Sequence, residues 1–295
     1  MVEKSHGVPR WEEASDLTTG LELKARYGAG ALPVAGGTDA SLRLRAGLWR
    51  PTVLFSLARA GLERLETRDG GLVAGACVTM ATLAADVAVR TTWPALAVAA
   101  GGLGSPLIRN LATLGGNLGN ASPCADSAPP LLVYGAEIVV GSTRGIRRLP
   151  VDDFFIGPGR TALSEDELIL EVQVPPPPPG TVAVFRKFGP RRTNIIAASS
   201  LATALTLEDG VVVRARVAAG SVAPTPVRLP GLETFLTGRS VSELGDPQVQ
   251  AEAADRLLGE VAPINDVRGS AWYKGRVAAN TLMRDLDAVA QRGVA

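Results

Sequence analysis

Ala31-Leu32-Pro33-Val34-Ala35-Gly36-Gly37-Thr38-Asp39-Ala40 is the stretch on which the reading of the fold turns. Ala31 to Ala35 reads as a short buried strand, the paired glycines break it, and Ala40 to Ala46 resumes as a helix. On its N-terminal side, Ser15 to Tyr27 sets Leu17, Leu21 and Leu23 near one helical face and is stopped by Gly28 and Gly30. On its C-terminal side, Thr52 to Leu57 reads as a second strand. The chain therefore opens with a compact β-turn-α-β unit whose turn is rich in glycine.

A second stretch has the same character. Thr113-Leu114-Gly115-Gly116-Asn117 sits inside a polar, glycine-dense run from Gly104 to Asp126 that is too long for a plain connector. Glycines allow unusual φ and let backbone come close to a ligand. Exposed N–H groups in two such turns, helped by the Thr38 and Thr113 hydroxyls, suit a pyrophosphate. The competing reading is that each glycine pair only makes a tight turn, the commonest use of glycine. No Gly-x-x-x-x-Gly-Lys-Ser/Thr run is present. Gly157-Pro158-Gly159-Arg160-Thr161-Ala162 matches a dinucleotide fingerprint in form only, without a strand before it or a helix after it.

Between the two glycine runs the pattern predicts a hairpin of Leu65 to Arg68 and Leu72 to Ala74 around Asp69-Gly70-Gly71. A helix capped by Thr79 runs to about Val89, and an alanine-rich helix opens at Trp93-Pro94 and ends at Gly101-Gly102. Beyond the second run come a helix at Ala128 to Tyr134 and strands at Glu137 to Val140, Ile146 to Val151 and Glu167 to Val174. Pro175 to Pro179 are five consecutive prolines, a semi-rigid polyproline II connector, and the domain boundary is placed there. Downstream, strands near Val182 to Phe188, Ser199 to Leu207 and Val211 to Ala219 precede helices near Val249 to Val261 and Ser270 to Gln291, an antiparallel sheet backed by helices.

Composition narrows the function. The 295 residues are 46% hydrophobic and 20% charged, with 30 Lys and Arg against 29 Asp and Glu and a net charge of +1. That balance disfavours nucleic acid and anionic membranes as partners. No run approaches the roughly 18 apolar residues of a membrane span, and Met1 to Arg10 lacks a signal core, so a cytoplasmic location is expected. Cys77 and Cys124 stand far apart without a neighbouring Cys or His, so any iron–sulfur centre belongs to a partner. His6, the single histidine, lies in a polar N-terminal segment of the kind that is usually loosely ordered and reads as a solvated side chain, so neither a Ser/His/Asp triad nor a two-His metal site is built on it.

Taken in order, Ala35-Gly36-Gly37-Thr38-Asp39, Gly104-Ser105-Pro106-Leu107-Ile108-Arg109-Asn110, Thr113-Leu114-Gly115-Gly116-Asn117-Leu118-Gly119-Asn120-Ala121-Ser122-Pro123, Asp126 and Gly157-Pro158-Gly159-Arg160-Thr161 resemble the signature of the FAD-binding medium subunits of molybdenum hydroxylases of the xanthine dehydrogenase and carbon monoxide dehydrogenase type. Arg268-Gly269-Ser270-Ala271-Trp272-Tyr273-Lys274 is similar to the run that opens the last helix of that family. Each string is weak alone; the set in this order is specific.

The resemblance implies an α+β chain. Residues 1–177 would form a two-subdomain α/β FAD-binding domain (PCMH-type, vanillyl-alcohol-oxidase-like; subdomains about 1–58 and 59–177), and residues 178–295 an α+β C-terminal domain with an antiparallel sheet. By position it places Pro33, Val34, Ala35, Gly36, Gly37, Thr38, Asp39 and Ala40, with Thr113, Leu114, Gly115, Gly116 and Asn117, around the pyrophosphate and ribityl chain. Asp126 would accept from the adenosine ribose, or else cap the following helix. Leu103 and Ile169 would touch the flavin, or else be ordinary core residues. Lys187 would lie by the isoalloxazine ring, or else be a solvated lysine at a strand end.

The resemblance further implies FAD on this chain, with [2Fe–2S] clusters on a small iron–sulfur partner subunit and the molybdopterin cofactor on a large one. Electrons would leave through FAD to an external acceptor, NAD or another, in a dimer of heterotrimers. Ile195 stands where the family often has Asp, which puts NAD⁺ in doubt, and Cys124, inside the glycine-rich loop, reads as a small buried residue or else as a neighbour of the cofactor. The alternatives are a self-contained FAD-dependent oxidase or reductase, for which no positioned acid or base is visible, and a non-catalytic assembly subunit. The intact Gly36, Gly37, Gly115 and Gly116 speak against the last of these.

Overall fold

The structure is a computed structural model that describes residues 9–191 and 194–292; His6, Arg192 and Thr193 lie outside the described residues. The first unit contains β1 (Arg10–Glu13), α1 (Leu17–Tyr27), β2 (Ala31–Val34), α2 (Ala40–Arg45) and β3 (Val53–Ser56). Its three strands are parallel in the order β1-β3-β2. Asp16 caps α1 by accepting from the Thr19 N–H at 2.8 Å, and Gly28 ends the helix at φ 50°. The β-turn-α-β expectation holds here. β1 is an addition, because Arg-Trp-Glu-Glu has none of the apolar alternation by which a strand is recognised.

The second unit carries β4 (Leu65–Arg68), β5 (Gly71–Gly75), α3 (Met80–Ala85), α4 (Val87–Thr92), α5 (Pro94–Gly101), α6 (Pro106–Arg109), α7 (Leu114–Gly119), α8 (Ala128–Tyr134), β6 (Glu137–Ser142), β7 (Gly145–Pro150), β8 (Phe155–Gly157), β9 (Arg160–Thr161) and β10 (Leu168–Val174). β10 enters the middle of an antiparallel sheet ordered β4-β5-β10-β6-β7. Two expectations are corrected. The single helix from Thr79 to Val89 is two, because Asp86 turns extended (ψ 131°) and caps the second through the Val89 N–H at 2.9 Å. The run from Gly104 to Asp126 is no plain loop: Ser105 and Thr113 each cap a short helix within it.

The chain continues through β11 (Thr181–Phe188), β12 (Ser199–Glu208), β13 (Val211–Gly220), β14 (Val227–Arg228), α9 (Pro230–Leu236), α10 (Val241–Leu244), α11 (Pro247–Glu260) and α12 (Ala271–Arg292). The four strands form an antiparallel sheet in sequence order. Both faces of that sheet are covered. Ala202, Ala204, Ala218 and Phe185 join the same core as α5 and α8, whereas Leu201, Leu205, Val217 and Ala219 join a second core with α9, α11 and α12. This explains why every residue from Ser199 to Thr206 is buried, the serines and threonines included: with helices on both sides, neither face of the strand is left to solvent. Small alanines face α5 and α8 and let those helices approach. Arg186 also donates to the buried Asp285 of α12 at 2.5 Å.

Candidate functional site

β2 ends at Val34, and Ala35 to Asp39 turn before Ala40 opens α2. Gly36 lies against another loop so tightly that a Cβ there would sit 1.7 Å from the Leu111 carbonyl oxygen. Only glycine fits. Gly37 is at φ 68°, the left-handed region, with open space around its Cα apart from Val34. Among the described residues, the N–H groups of Gly36, Gly37, Thr38 and Asp39 find no protein acceptor, while the Gly37 and Asp39 carbonyls already accept from Ser41 and Arg43 in α2. A run of free donors at a turn is an anion-binding concavity.

The second glycine pair is built otherwise. Thr113, itself buried, caps α7 by accepting from the Gly116 N–H at 3.0 Å, so its hydroxyl is engaged within the protein. The Leu114 N–H donates to Val78 O, Gly115 to Ala76 O and Asn117 to Thr113 O. Gly115 is there for contact: a Cβ would meet Ala76 Cβ at 2.6 Å and Ala76 O at 2.8 Å. This corrects the expectation of exposed N–H donors in both turns. The second pair is a brace that leaves Gly116 and part of Asn117 at the surface.

One side chain ties the two loops together and another braces the second. Asn120 donates to Asp39 Oδ2 at 2.9 Å across the loops, and Ser127 donates to Asn117 Oδ1 at 2.6 Å. The Asn120 Oδ1 is buried with no partner. Asn120 was not a predicted site residue, although it lies within the string that carries the resemblance.

Asp126 precedes α8 but does not cap it, since the N-cap is Ser127 and makes no side-chain cap bond. It pairs with Lys187 of β11 instead, Nζ to Oδ2 at 2.5 Å, with both side chains at most a tenth exposed. Lys187 therefore is not a solvated strand-end lysine. Its Nζ also reaches the Gly102 carbonyl at 3.4 Å, beside Leu103, which packs partly buried on the first core. Burial pushes the Asp126 carboxyl up to about 6 against the opposing pull of Lys187. Its second oxygen, Oδ1, is buried without a partner. A buried acceptor left unpaired costs on the order of 1–3 kcal/mol, and this oxygen has room in its bonding for one further donor, such as a hydroxyl or amide.

Ile169 is buried on β10 at a register shift, where the Leu170 carbonyl accepts from the Ala76 N–H. Its Cδ1 lies 3.6 Å from the Cβ position of Gly119, so it adjoins α7. From the C-terminal half, Arg268 donates to Cys124 Sγ and, at 3.1 Å, to the Ala197 carbonyl. Asp266 orients it, held below the usual carboxylate range by Arg268 and by the fully buried Lys274. Cys124 is thus anchored to the last domain as well as lying in the glycine-rich loop. Among the described residues no group of three or more His, Cys, Asp and Glu side chains is placed to hold a metal ion.

The glycine loops, two orphaned buried acceptors and the Asp126–Lys187 pair fit a dinucleotide with a hydroxyl-rich chain. The comparisons agree. The pattern of the family described as the FAD binding domain in molybdopterin dehydrogenase matches residues 4–177, and that of the CO dehydrogenase flavoprotein C-terminal domain matches residues 184–289. The chain is 32% identical over 269 residues to the xanthine dehydrogenase FAD-binding subunit of Escherichia coli O157:H7, covering 90% of each. It is 29% identical to the carbon monoxide dehydrogenase medium chain of Hydrogenophaga pseudoflava, covering 95% of this chain and 97% of that one. A solved carbon monoxide dehydrogenase from the same organism, lacking the Mo-pyranopterin moiety of its cofactor, superposes with a TM-score of 0.91 at 27% identity, over 97% of this chain and 98% of that one. The chain belongs to the family of FAD-binding medium subunits of molybdopterin-dependent dehydrogenases of the xanthine and carbon monoxide dehydrogenase type.

Proposed function

We propose that this chain holds FAD between its two glycine loops and passes electrons from [2Fe–2S] clusters on a small partner subunit to an external acceptor. Substrate is oxidised at a molybdopterin centre on a large partner subunit, in a cytoplasmic assembly that pairs two heterotrimers. The observation that carries the reading is the free N–H donors at Gly36 to Asp39 beside the unpartnered acceptor of Asn120, together with a second unpartnered acceptor on Asp126 at the Lys187 pair. The glycines themselves do not separate a flavoprotein from an assembly subunit, because Gly36 and Gly115 are also required by packing.

In this reading Gly36 to Asp39 donate to the pyrophosphate. α7, braced by Thr113, forms the opposite wall, Asn120 sets the spacing through Asp39, and Ile169 supplies an apolar contact to the flavin. FAD supplies the two-electron to one-electron chemistry, so the protein need only hold it and tune its potential. Asp126 and Lys187 are in direct contact and therefore address one end of an extended cofactor. We assign that end to the adenosine: the free Asp126 oxygen accepts from the ribose hydroxyls, Leu103 is the neighbouring apolar contact, and Lys187 keeps the carboxylate ionised. This moves Lys187 and Leu103 away from the isoalloxazine ring suggested by the resemblance. We place the domain division, residues 1–177 and 178–295, in the proline run between β10 and β11; no strand pairing joins the sheets on either side among the described residues.

The test is the visible spectrum and subunit composition of the complex purified through this chain, for wild type and Lys187→Met. Flavin and iron–sulfur absorbance with one small and one large partner supports the reading; a colourless chain overturns it. Weaker FAD retention with an unchanged flavin potential fits Lys187 at the adenosine end, and a lowered potential with full retention returns it to the ring.

A further inference from the structure

The prolines from Pro175 to Pro179 have no N–H to donate, so the run crosses from β10 to β11 as a strap held through its carbonyls. Trp93 donates its indole N–H to the Pro175 carbonyl at 2.9 Å, and the Thr181 hydroxyl donates to the Pro178 carbonyl at 2.7 Å. Pro176 and Pro177 make no hydrogen bond among the described residues. Between the strap, the sheet and the end of α8 is a cavity of about 200 Å³. Arg214 and Arg216 of β13 both line it. Across the sheet Thr181, Thr206 and Arg214 stand in one row and Ala183, Ala204 and Arg216 in the next, so the two arginines share a face, about 7 Å apart along the strand.

Charge decides what the cavity takes. Neither arginine forms an ion pair among the described residues, and the acids nearby, Glu233 and Asp152, are engaged by Arg228. Arg216 is half-buried, with its guanidinium pressed against Gly135 and donating to the Leu132 carbonyl at 3.3 Å. Capping of α8 accounts for that one bond; it neutralises no charge and leaves the exposed Arg214 without an acceptor. Burial, and then the Arg228 and Arg214 cations, press the pKa of Arg216 below its usual value. The Thr206 hydroxyl is engaged by Thr181 at 2.8 Å, so the guanidiniums are the donors left over. One carboxylate would offset only one of them. A phosphate group carries about −1.5 to −2 charges at neutral pH and offers three oxygens to forked arginine contacts. The volume, below the roughly 300 Å³ of a pocket for a drug-sized ligand, suits a small anion and excludes a dinucleotide.

We propose that the cavity between the proline strap and β13 binds a phosphate group through Arg214 and Arg216, at the end of α8 away from Asp126. The site is independent of the flavin reading. The test is calorimetric titration of the full chain with inorganic phosphate, in excess FAD and against potassium chloride of matched ionic strength. The expected result is one saturable site with a Kd of about 1 mM or tighter, weakened about tenfold or more in Arg214→Gln and in Arg216→Gln. Arg214 is exposed and has no partner, so its variant folds even if the Arg216 variant does not. A Kd weaker than about 1 mM in wild type overturns the proposal, as does unchanged affinity in folded Arg214→Gln. AMP separates the sources: displacement of phosphate by AMP identifies a phosphate ester as the ligand, and no displacement identifies the free ion, either of which supports the site. Failure of the flavin reading shows separately, as no heat when FAD is added.

Discussion

The two glycine pairs look alike in sequence and differ in the work their backbones do. In Gly36-Gly37 the second glycine takes φ 68° and the N–H groups through Asp39 remain free. In Gly115-Gly116 the neighbouring N–H groups are already consumed by Val78, Ala76 and the Thr113 cap. One loop offers donors to a ligand, and the other holds a short helix against β5 and its extension so that the first has a wall to face. A glycine pair is therefore a statement about crowding or about φ, and only the hydrogen-bond accounting says which loop is left open.

The largest effect should come from Gly36→Ala, where the added methyl collides with backbone that cannot rotate away. It should cost about 3 kcal/mol or more in stability and separate the two loops, so flavin retention is lost with it. Urea unfolding and the bound-flavin ratio read the two losses independently; a folded variant with full flavin would break the claim that the loops must touch.

Gly115→Ala comes next, at about 3 kcal/mol, because Ala76 crowds the site from both its side chain and its carbonyl. If the second loop is only a brace, saturating FAD should stabilise this variant by the same increment as wild type. A smaller increment would mean that the second loop also binds directly.

The pH dependence of FAD affinity sharpens the acceptor side. Asp126 titrates at about 6 when the chain is empty, and donors from a bound ribose favour the ionised carboxylate, lowering that value in the complex. Protons therefore compete with FAD: affinity should rise with pH up to about 6 and level off above it. Titrations from pH 5 to 8 measure this, and the slope should vanish in Asp126→Asn.

The smallest contrast is between the two threonines. Thr113→Ala removes a helix cap and should cost about 1 kcal/mol. Thr38→Ala removes no bond within the chain and should stay within about 0.5 kcal/mol by thermal unfolding. Equal costs would erase the difference between the loops.

Much of the site was legible because its parts are local. The strand-glycine-helix order around Gly36, the Thr113 run and the position of Asp126 are all patterns along the chain. Asn120 and Lys187 show where that legibility stops. Asn120 owes its role to Asp39, where the two glycine loops meet, and Lys187 to Asp126 and the Gly102 carbonyl, where β11 packs beside α5; all are partners far away in sequence. The same limit left Asp126 open between ribose acceptor and helix cap and hid its pairing with Lys187, since a cap and an ion-pair partner present the same residue in the same place. The strands missed at Arg10–Glu13 and Arg160–Thr161 are too short and too polar for periodicity to register.

The sequence by itself determined the order of elements, the two glycine turns and the family, because backbone permissiveness, apolar period and a long ordered set of motifs are written in neighbouring residues. Only the tertiary structure decided which turn keeps its donors free, which carboxylate oxygen is left without a partner, and that two arginines of β13 line a cavity with no carboxylate to pair with. Those properties depend on what has already been satisfied by distant groups, and hydrogen bonds and burial are settled only when the whole chain has packed.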